Sequence, residues 1–363
     1  METKTKHHRI LTVFCLLPAA LVGLFYLLKG NRAVMDFWVY RVAGPVEQAL
    51  GRFWAVCEFS ALEALGALAV LCSLLCLIYA LVRLVNTKNW GRFGRLMAGL
   101  LACWLWLFAA LCWMWNAAYY ASTFSQRSGF IARTYSVEEL AKMTDWFAQK
   151  AGEFSTQVKR DEAGHFDEDL NDLFHRSVRV YDNISEEFPL LDMEAVEPKP
   201  FLLSPVQSRM GFTGMYSPFT GEANVNVAAP LCLIPSTMAH ELAHQRMVSS
   251  EQEASFLGIT AGILSDDPAF QYSCYLSGLI NLCNALYPLD PEGWQEIVQR
   301  NFTKELAQDW NDNNAYWAAL AGPVDEAAGN AYDAFLKHND QKLGMQSYGA
   351  CVDLLMAYFL PKI

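Results

Sequence analysis

The chain has 363 residues, 53% of them hydrophobic and 13% aromatic, with a formal net charge of −11. That apolar content is high for a soluble globular protein, and the acidic balance argues against nucleic acid as a partner. The two properties are segregated: residues 1–120 carry 11 Lys and Arg against 5 Asp and Glu, whereas residues 121–363 carry 16 against 33. A basic, apolar front and an acidic, aqueous back is the pattern of a membrane anchor (1–120) joined to a separate domain (121–363).

Three apolar runs, about residues 10–28, 64–82 and 96–118, are each long enough to cross the hydrocarbon core of a bilayer. The first follows Lys4, Lys6, His7, His8 and Arg9 and leads into Lys29-Gly30-Asn31-Arg32 rather than a small-residue cleavage site, so it reads as a retained helix. Trp104, Trp106, Trp113, Trp115, Tyr119 and Tyr120 form an aromatic belt towards the far end of the third. The basic N-terminal tail and the acid-free connection with Arg83, Lys88, Arg92 and Arg95 should both be cytoplasmic. The expected arrangement is a multi-pass protein in a cell membrane, with the lipid bilayer as partner, a cytoplasmic N-terminus and an extracytoplasmic domain. Phe37-Trp38-Val39-Tyr40 and Phe53-Trp54 suggest that the 29–63 connection lies in the outer interface. Six of the ten cysteines fall in this front portion; Cys232, Cys274, Cys283 and Cys351 lack metal-type spacing and leave a disulfide among them open.

Residues 122–134 read as a linker. Ser136 then caps a helix running towards Gln157, with Leu140, Met143, Trp146 and Phe147 on one side. A second helix is expected over 168–188, and Pro198, Pro200 and Pro205 mark irregular chain. Residues 210–227, with their glycines and alternation, are the one convincing β hairpin. Its Ala223, Asn224, Val225 and Asn226 could serve as an edge strand along which an extended peptide substrate is laid, although a purely structural hairpin fits as well.

The central motif is His240-Glu241-Leu242-Ala243-His244, entered through Pro235-Ser236-Thr237 with Ser236 or Thr237 as expected N-cap. Histidines four apart on a helix project from one face and can share a zinc ion, while Glu241 beside them is placed to hold the proton of an attacking water. This is the zincin signature, two histidine ligands plus a general base. A third ligand is required. On an unbroken helix Glu251 would lie about 16 Å along the axis from His240, so the chain must turn, plausibly at Ser249-Ser250, to return Glu251 or Glu253 to the metal. Helices are then expected over 256–264, 268–287 (a buried scaffold behind the site), 291–312, 324–337 and 342–359.

Two resemblances add to this reading. Glu251-Gln252-Glu253-Ala254-Ser255 is similar to the Glu-x-Glu-Ala-Asp segment of the gluzincin membrane-associated peptidases, whose first Glu is a metal ligand. That implies Glu251 as third ligand, with Ser255 in the place of their ligand-orienting Asp. The interval from His244 is shorter than in most gluzincins, which keeps Glu253 as the alternative. Residues 216–226, the His240–Gln245 motif, Glu251–Ala254, Tyr135–Leu140 and Ser347-Tyr348-Gly349 together resemble the bacterial membrane proteins grouped as domain of unknown function 3810. In that family a glycine would ease the turn after the metal helix; here Met247 stands instead.

The fold expected is mainly α with a small β hairpin or sheet, three transmembrane helices preceding a zincin-like α+β domain. The function expected is a membrane-anchored zinc metallopeptidase, with Tyr348, Tyr216 or His338 as oxyanion stabiliser and an unknown peptide or protein substrate. The alternative is a non-catalytic zinc-binding sensor or scaffold. Intramembrane proteolysis is disfavoured because the motif lies in a polar segment away from the apolar runs.

Overall fold

A computed structural model describes residues 2–344 and 351–363, with side chains from residue 12. In order the helices are α1 (Glu2–Leu28), α2 (Arg32–Trp38), α3 (Gly44–Trp54), α4 (Ala61–Thr87), α5 (Trp90–Met114), α6 (Phe124–Ser128), α7 (Val137–Ser155), α8 (Leu170–Ser177), α9 (Asp182–Glu187) and α10 (Ser204–Arg209). They continue as α11 (Ile234–Gln245), α12 (Glu251–Leu264), α13 (Pro268–Leu286), α14 (Pro291–Asn301), α15 (Lys304–Leu320), α16 (Pro323–His338) and α17 (Cys351–Phe359). Strands β1 (Lys199–Pro200), β2 (Gly214–Ser217) and β3 (Glu222–Val225) form one small sheet.

Among the described residues, two helices are long and apolar enough to cross a membrane: α4, and α5 with its 3-10 continuation to Tyr120. In α1 the described apolar stretch, Thr12–Leu28, is shorter. Leu68, Leu74, Ile78 and Val82 of α4 and Leu101 and Trp104 of α5 point outwards and are exposed. Such surfaces suit lipid rather than water. Between α1 and α4, α2 and α3 form a shelf joined through a short π-helical turn, with Phe37 and Phe53 exposed on it.

The shelf and the helix ends are built into the rest of the chain. Glu222 of β3 accepts hydrogen bonds from the Ala61 and Leu62 amides (3.2 and 3.0 Å), capping α4 from across the fold. Its charge is matched by buried Lys199 at 2.6 Å, whose ammonium also donates to the carbonyls of Trp54 and Phe59. Gly51 of α3 and Gly221 of the β2–β3 turn touch backbone to backbone; a Cβ on Gly221 would stand 2.0 Å from the Glu47 carbonyl oxygen. The expected linker is no spacer: Thr123 starts α6, and Phe124 is buried in the main core.

That core lies among α7, α11, α12, α13 and α17, with α13 buried along much of its length as the expected scaffold. Ser136 caps α7 with Glu139 in a reciprocal capping box. Three expectations are corrected. The helix expected over 168–188 breaks at Val178–Tyr181, where the Ser177 hydroxyl donates to the Phe174 carbonyl instead of leaving it to the helix. The helix expected over 291–312 splits into α14 and α15 because Thr303 caps a new start, accepting from the Leu306 amide. The N-cap of α11 is not Ser236 or Thr237: Pro235 sits in the first turn, and both hydroxyls bond back to the Leu233 carbonyl. Residues 342–344 lie in a turn, and of the helix expected over 342–359 the described helical part is α17. All ten cysteines are free, so Cys232, Cys274, Cys283 and Cys351 form no disulfide.

Strand order is β1-β3-β2, β3 pairing parallel with β1 and antiparallel with β2. Ala223, Asn224 and Val225 are thus central and fully buried, with Asn226 held at their end by its amide bonded to the Thr213 carbonyl. Both sides of this stretch are occupied, so it cannot be the edge for a substrate; β1 and β2 are the edge strands, and β2 borders the cleft.

Removing one partner of a buried ion pair leaves an uncompensated charge, at a cost of about 3–5 kcal/mol. Glu222→Ala is therefore expected to lower the melting temperature of the full-length protein in detergent, with Lys199→Met added to it recovering part of the loss. An unchanged melting temperature in Glu222→Ala would show that this tether carries no stability.

Candidate metal centre

The motif histidines occupy the last two turns of α11, four residues apart, with ring centroids 4.8 Å from each other. The chain reverses through Arg246–Ser249, and Ser250 caps α12 by accepting from the Glu253 amide. At the reversal Met247 takes a left-handed conformation (φ +61°), costly for a side-chain-bearing residue by roughly 1–2 kcal/mol. Its side chain explains why a glycine is not needed. Met247 packs among Phe25, Met35, Val39 and Ala43, so the strained turn is plugged into the cluster made by the N-terminal helices.

The turn brings Glu251 back to the histidines. Its Oε2 lies 3.2 Å from His240 Nε2 and 3.5 Å from His244 Nε2, and ligand atoms of the three residues all lie within 4.8 Å of one another. His244 Nδ1 is 2.6 Å from the Val248 carbonyl, and His240 Nδ1 is 3.3 Å from the Ser255 hydroxyl. Both contacts turn Nε2 inward; the Val248 carbonyl, which can only accept, places a proton on Nδ1 of His244, while the Ser255 hydroxyl can either donate to or accept from His240. Ser255 thus has the orienting position expected for it. Tyr332 of α16 donates to Glu251 Oε1 at 2.6 Å, leaving Oε2 towards the histidines. Two imidazoles and a carboxylate, each oriented from behind, fit a divalent metal such as zinc.

Glu253 is elsewhere. Its two oxygens accept the Phe124 and Ser125 amides (2.8 and 2.9 Å), capping α6. The two glutamates sit on different faces of α12, and only Glu251 faces the histidines. Close packing sets this geometry: a Cβ on Gly258 of α12 would stand 2.8 Å from the His240 nitrogen.

Glu241 is buried beneath β2. Its Oε1 fits where a side chain on Gly214 would be, 2.4 Å from an added Cβ, and its Oε2 has no hydrogen-bond partner. Burial raises the Glu241 carboxyl to about 8. Burial also opposes charging His244, but the Glu251 carboxylate outweighs it and lifts the imidazole to about 9. Burial holds His240 below its usual value, whereas the paired histidines keep Glu251 well below the carboxylate range despite its burial.

Two adjoining cavities form the arms of a cleft, the first lined by all three triad residues and the second by His240 alone. One arm, about 220 Å³, is walled by Trp115, Phe212, Tyr216, Phe219, Tyr332 and Phe335, with Leu62 and Leu111 from the apolar helices. The other, about 280 Å³, is walled by Thr213, Ser236, Thr237, Ser255, Ser277 and Asn281. Phe212, Gly214, His240 and Glu241 border both.

Of the three oxyanion candidates, Tyr348 lies outside the described residues. His338 is bonded to Tyr26 at 3.0 Å and lines neither arm. Tyr216 lines the apolar arm, but its hydroxyl donates to Glu47 of α3 at 2.8 Å. Gly214, Trp115 and Tyr332 are site residues that the sequence did not single out. Trp115, expected only in an aromatic belt, is buried with its ring 5.5 Å from that of His244. Their only sequence signals are a glycine among several and aromatics among many.

The family described as "Protein of unknown function (DUF3810)" matches residues 38–356, and the chain belongs to it. No curated protein and no solved structure matches the chain.

Two outcomes are expected. His240→Ala, His244→Ala and Glu251→Ala should each abolish metal retention, while Glu253→Ala keeps the metal and loses thermal stability; Tyr332→Phe should weaken metal affinity about 10–100-fold. Plasma mass spectrometry after dialysis measures this, and metal loss only in Glu253→Ala would overturn the assignment. Separately, burial holds the Glu47 carboxyl well above its ordinary 4.5, although the Tyr216 bond works the other way. A carboxyl with a raised folded-state pKa binds more protons folded than unfolded, so its contribution to stability falls as pH rises above about 4.5 towards the raised value. Glu47→Gln should flatten that part of the melting temperature's pH dependence, and an unaltered slope would refute it.

Proposed function

We propose that the protein is a membrane-anchored zinc metallopeptidase that hydrolyses peptide bonds at the outer face of the membrane. In this reading α1, α4 and α5 all cross the bilayer, the N-terminus is cytoplasmic, and the cleft faces the extracytoplasmic side. The observation that carries it is the convergence of His240, His244 and Glu251 with the buried, unpartnered oxygen of Glu241 beside them.

When bound there, zinc supplies a Lewis acid that polarises the scissile carbonyl and lowers the pKa of water towards neutrality. Glu241 takes a proton from the attacking water at Oε2 and passes it to the departing nitrogen. Gly214 leaves room for that carboxylate under the strand. The free side of β2 offers backbone amides and carbonyls to an extended peptide, which is recognition without a demand on side chains. Tyr332 and Ser255 hold Glu251 and His240 in the orientations that this needs.

The non-catalytic zinc-binding alternative would require a closed site with a fourth protein ligand. Among the described residues, the cluster that could hold a metal has three members, and Glu241 has no structural partner for Oε2. Those features favour catalysis.

The test is digestion of a peptide library by zinc-loaded full-length protein in detergent, with cut sites read by mass spectrometry. Glu241→Gln should retain the metal and lose activity by about 10²–10⁴-fold, the usual worth of a general base. Gly214→Ala should do likewise by displacing Glu241. Cleavage that persists in Glu241→Gln, or a metal-loaded wild type that cuts nothing, would defeat the proposal.

A further inference from the structure

We infer that the substrate is a membrane-anchored polypeptide, cut where its chain leaves the bilayer; this rests on the peptidase reading above and names its substrate class. One arm of the cleft is mostly apolar and the other mixed, with Thr213, Ser236, Ser277 and Asn281 beside Phe212 and Ile259, and both are lined by Phe212, Gly214, His240 and Glu241. One wall of the apolar arm belongs to the apolar helices themselves: Leu62 lies in the first turn of α4 and Leu111 in the last turn of α5. The cavity therefore begins where these helices would emerge from hydrocarbon.

A second feature marks the same level. Glu63, in the first turn of α4, accepts the Leu202 and Leu203 amides at 2.6 and 2.9 Å, seating the approach to α10 against the helix entrance. Both leucines are exposed, 65% and 57%. Removing such side chains from water is favourable, and a bilayer interface supplies part of that burial. Phe219, on the β2–β3 turn, adds a half-open apolar residue at the mouth of the arm.

A freely soluble peptide has no need of an arm walled by membrane-helix ends. A polypeptide with an apolar stem and an aqueous tail matches both arms at once: the stem side against Leu62, Leu111 and Phe335, the tail past Thr213, Ser277 and Asn281. The bond cut lies between them. Water oxygen adds to the carbonyl carbon, the C–N bond breaks with its electron pair on nitrogen, and that nitrogen takes both water protons. The products are a carboxylate and an ammonium, one tethered in the bilayer and one released.

The experiment uses zinc-loaded full-length protein in liposomes of phosphatidylethanolamine and phosphatidylglycerol. The probe is a single-span model protein carrying a randomised segment directly outside its apolar helix; comparators are the same segment behind a long polar spacer and as free peptide. The tethered segment should be cut with kcat/KM about tenfold or more above either comparator. A readout independent of turnover uses Glu241→Gln with photoreactive groups on the probe: the bilayer-side group should attach to the wall containing Leu62, Leu111 and Phe335, the tail-side group to that containing Ser277 and Asn281. Equal cleavage of all three probes, or labelling without this polarity, overturns the substrate class and leaves the peptidase reading standing. Cleavage of none defeats both.

Discussion

The site depends on one reversal of the chain. α11 and α12 pack so closely that Gly258 has no room for a side chain against the His240 backbone. That approach is what lets Glu251, at the start of α12, reach both histidines at the end of α11. Residues separated by eleven and seven positions become neighbours only because the helix is interrupted and folded back. The interruption has a local cost in the left-handed Met247, offset by the burial of its side chain in the cluster formed by α1, α2 and the shelf.

The same turn couples the triad to the N-terminal helices. Met247 binds the reversal to the shelf, Glu222 and Lys199 bind the sheet to the start of α4, and Trp115 carries the end of α5 to within ring contact of His244. Each link is made from a different element, so loosening any one leaves the others to hold the site in register. It also means that the ends of the apolar helices are structural walls of the cleft.

The electrostatics follow from burial with few compensating partners. Four ionisable groups, His240, Glu241, His244 and Glu251, are packed together in a small volume, where charge on one decides charge on the next. A divalent ion in the triad would replace the His244–Glu251 attraction with direct coordination. Glu47, on the other side of Tyr216, is a carboxyl whose burial raises its pKa while the hydrogen bond it accepts from the phenol works the other way.

Local chemistry was legible in the residues. The His240-Glu241-x-x-His244 spacing is a property of one helix turn, the Ser136 and Ser250 caps depend on neighbours three positions away, and the paired glycines and alternation of 210–227 mark a hairpin. The apolar runs that became α4 and α5 are likewise set by composition alone. The choices between equals were not legible. Glu251 and Glu253 have the same chemistry and nearly the same position; what separates them is the face of α12 on which each falls and the α6 amides that claim Glu253. β3 has the stronger strand pattern, yet β1, two residues from a stretch that reads as irregular, closes its free edge and leaves β2 beside the cleft. Gly214, Trp115 and Tyr332 acquire their roles from contacts more than twenty residues away in sequence. Helical spacing and capping act over single turns and are written in the chain, whereas ligand choice and strand edges are set by which distant surfaces meet, and packing decided those.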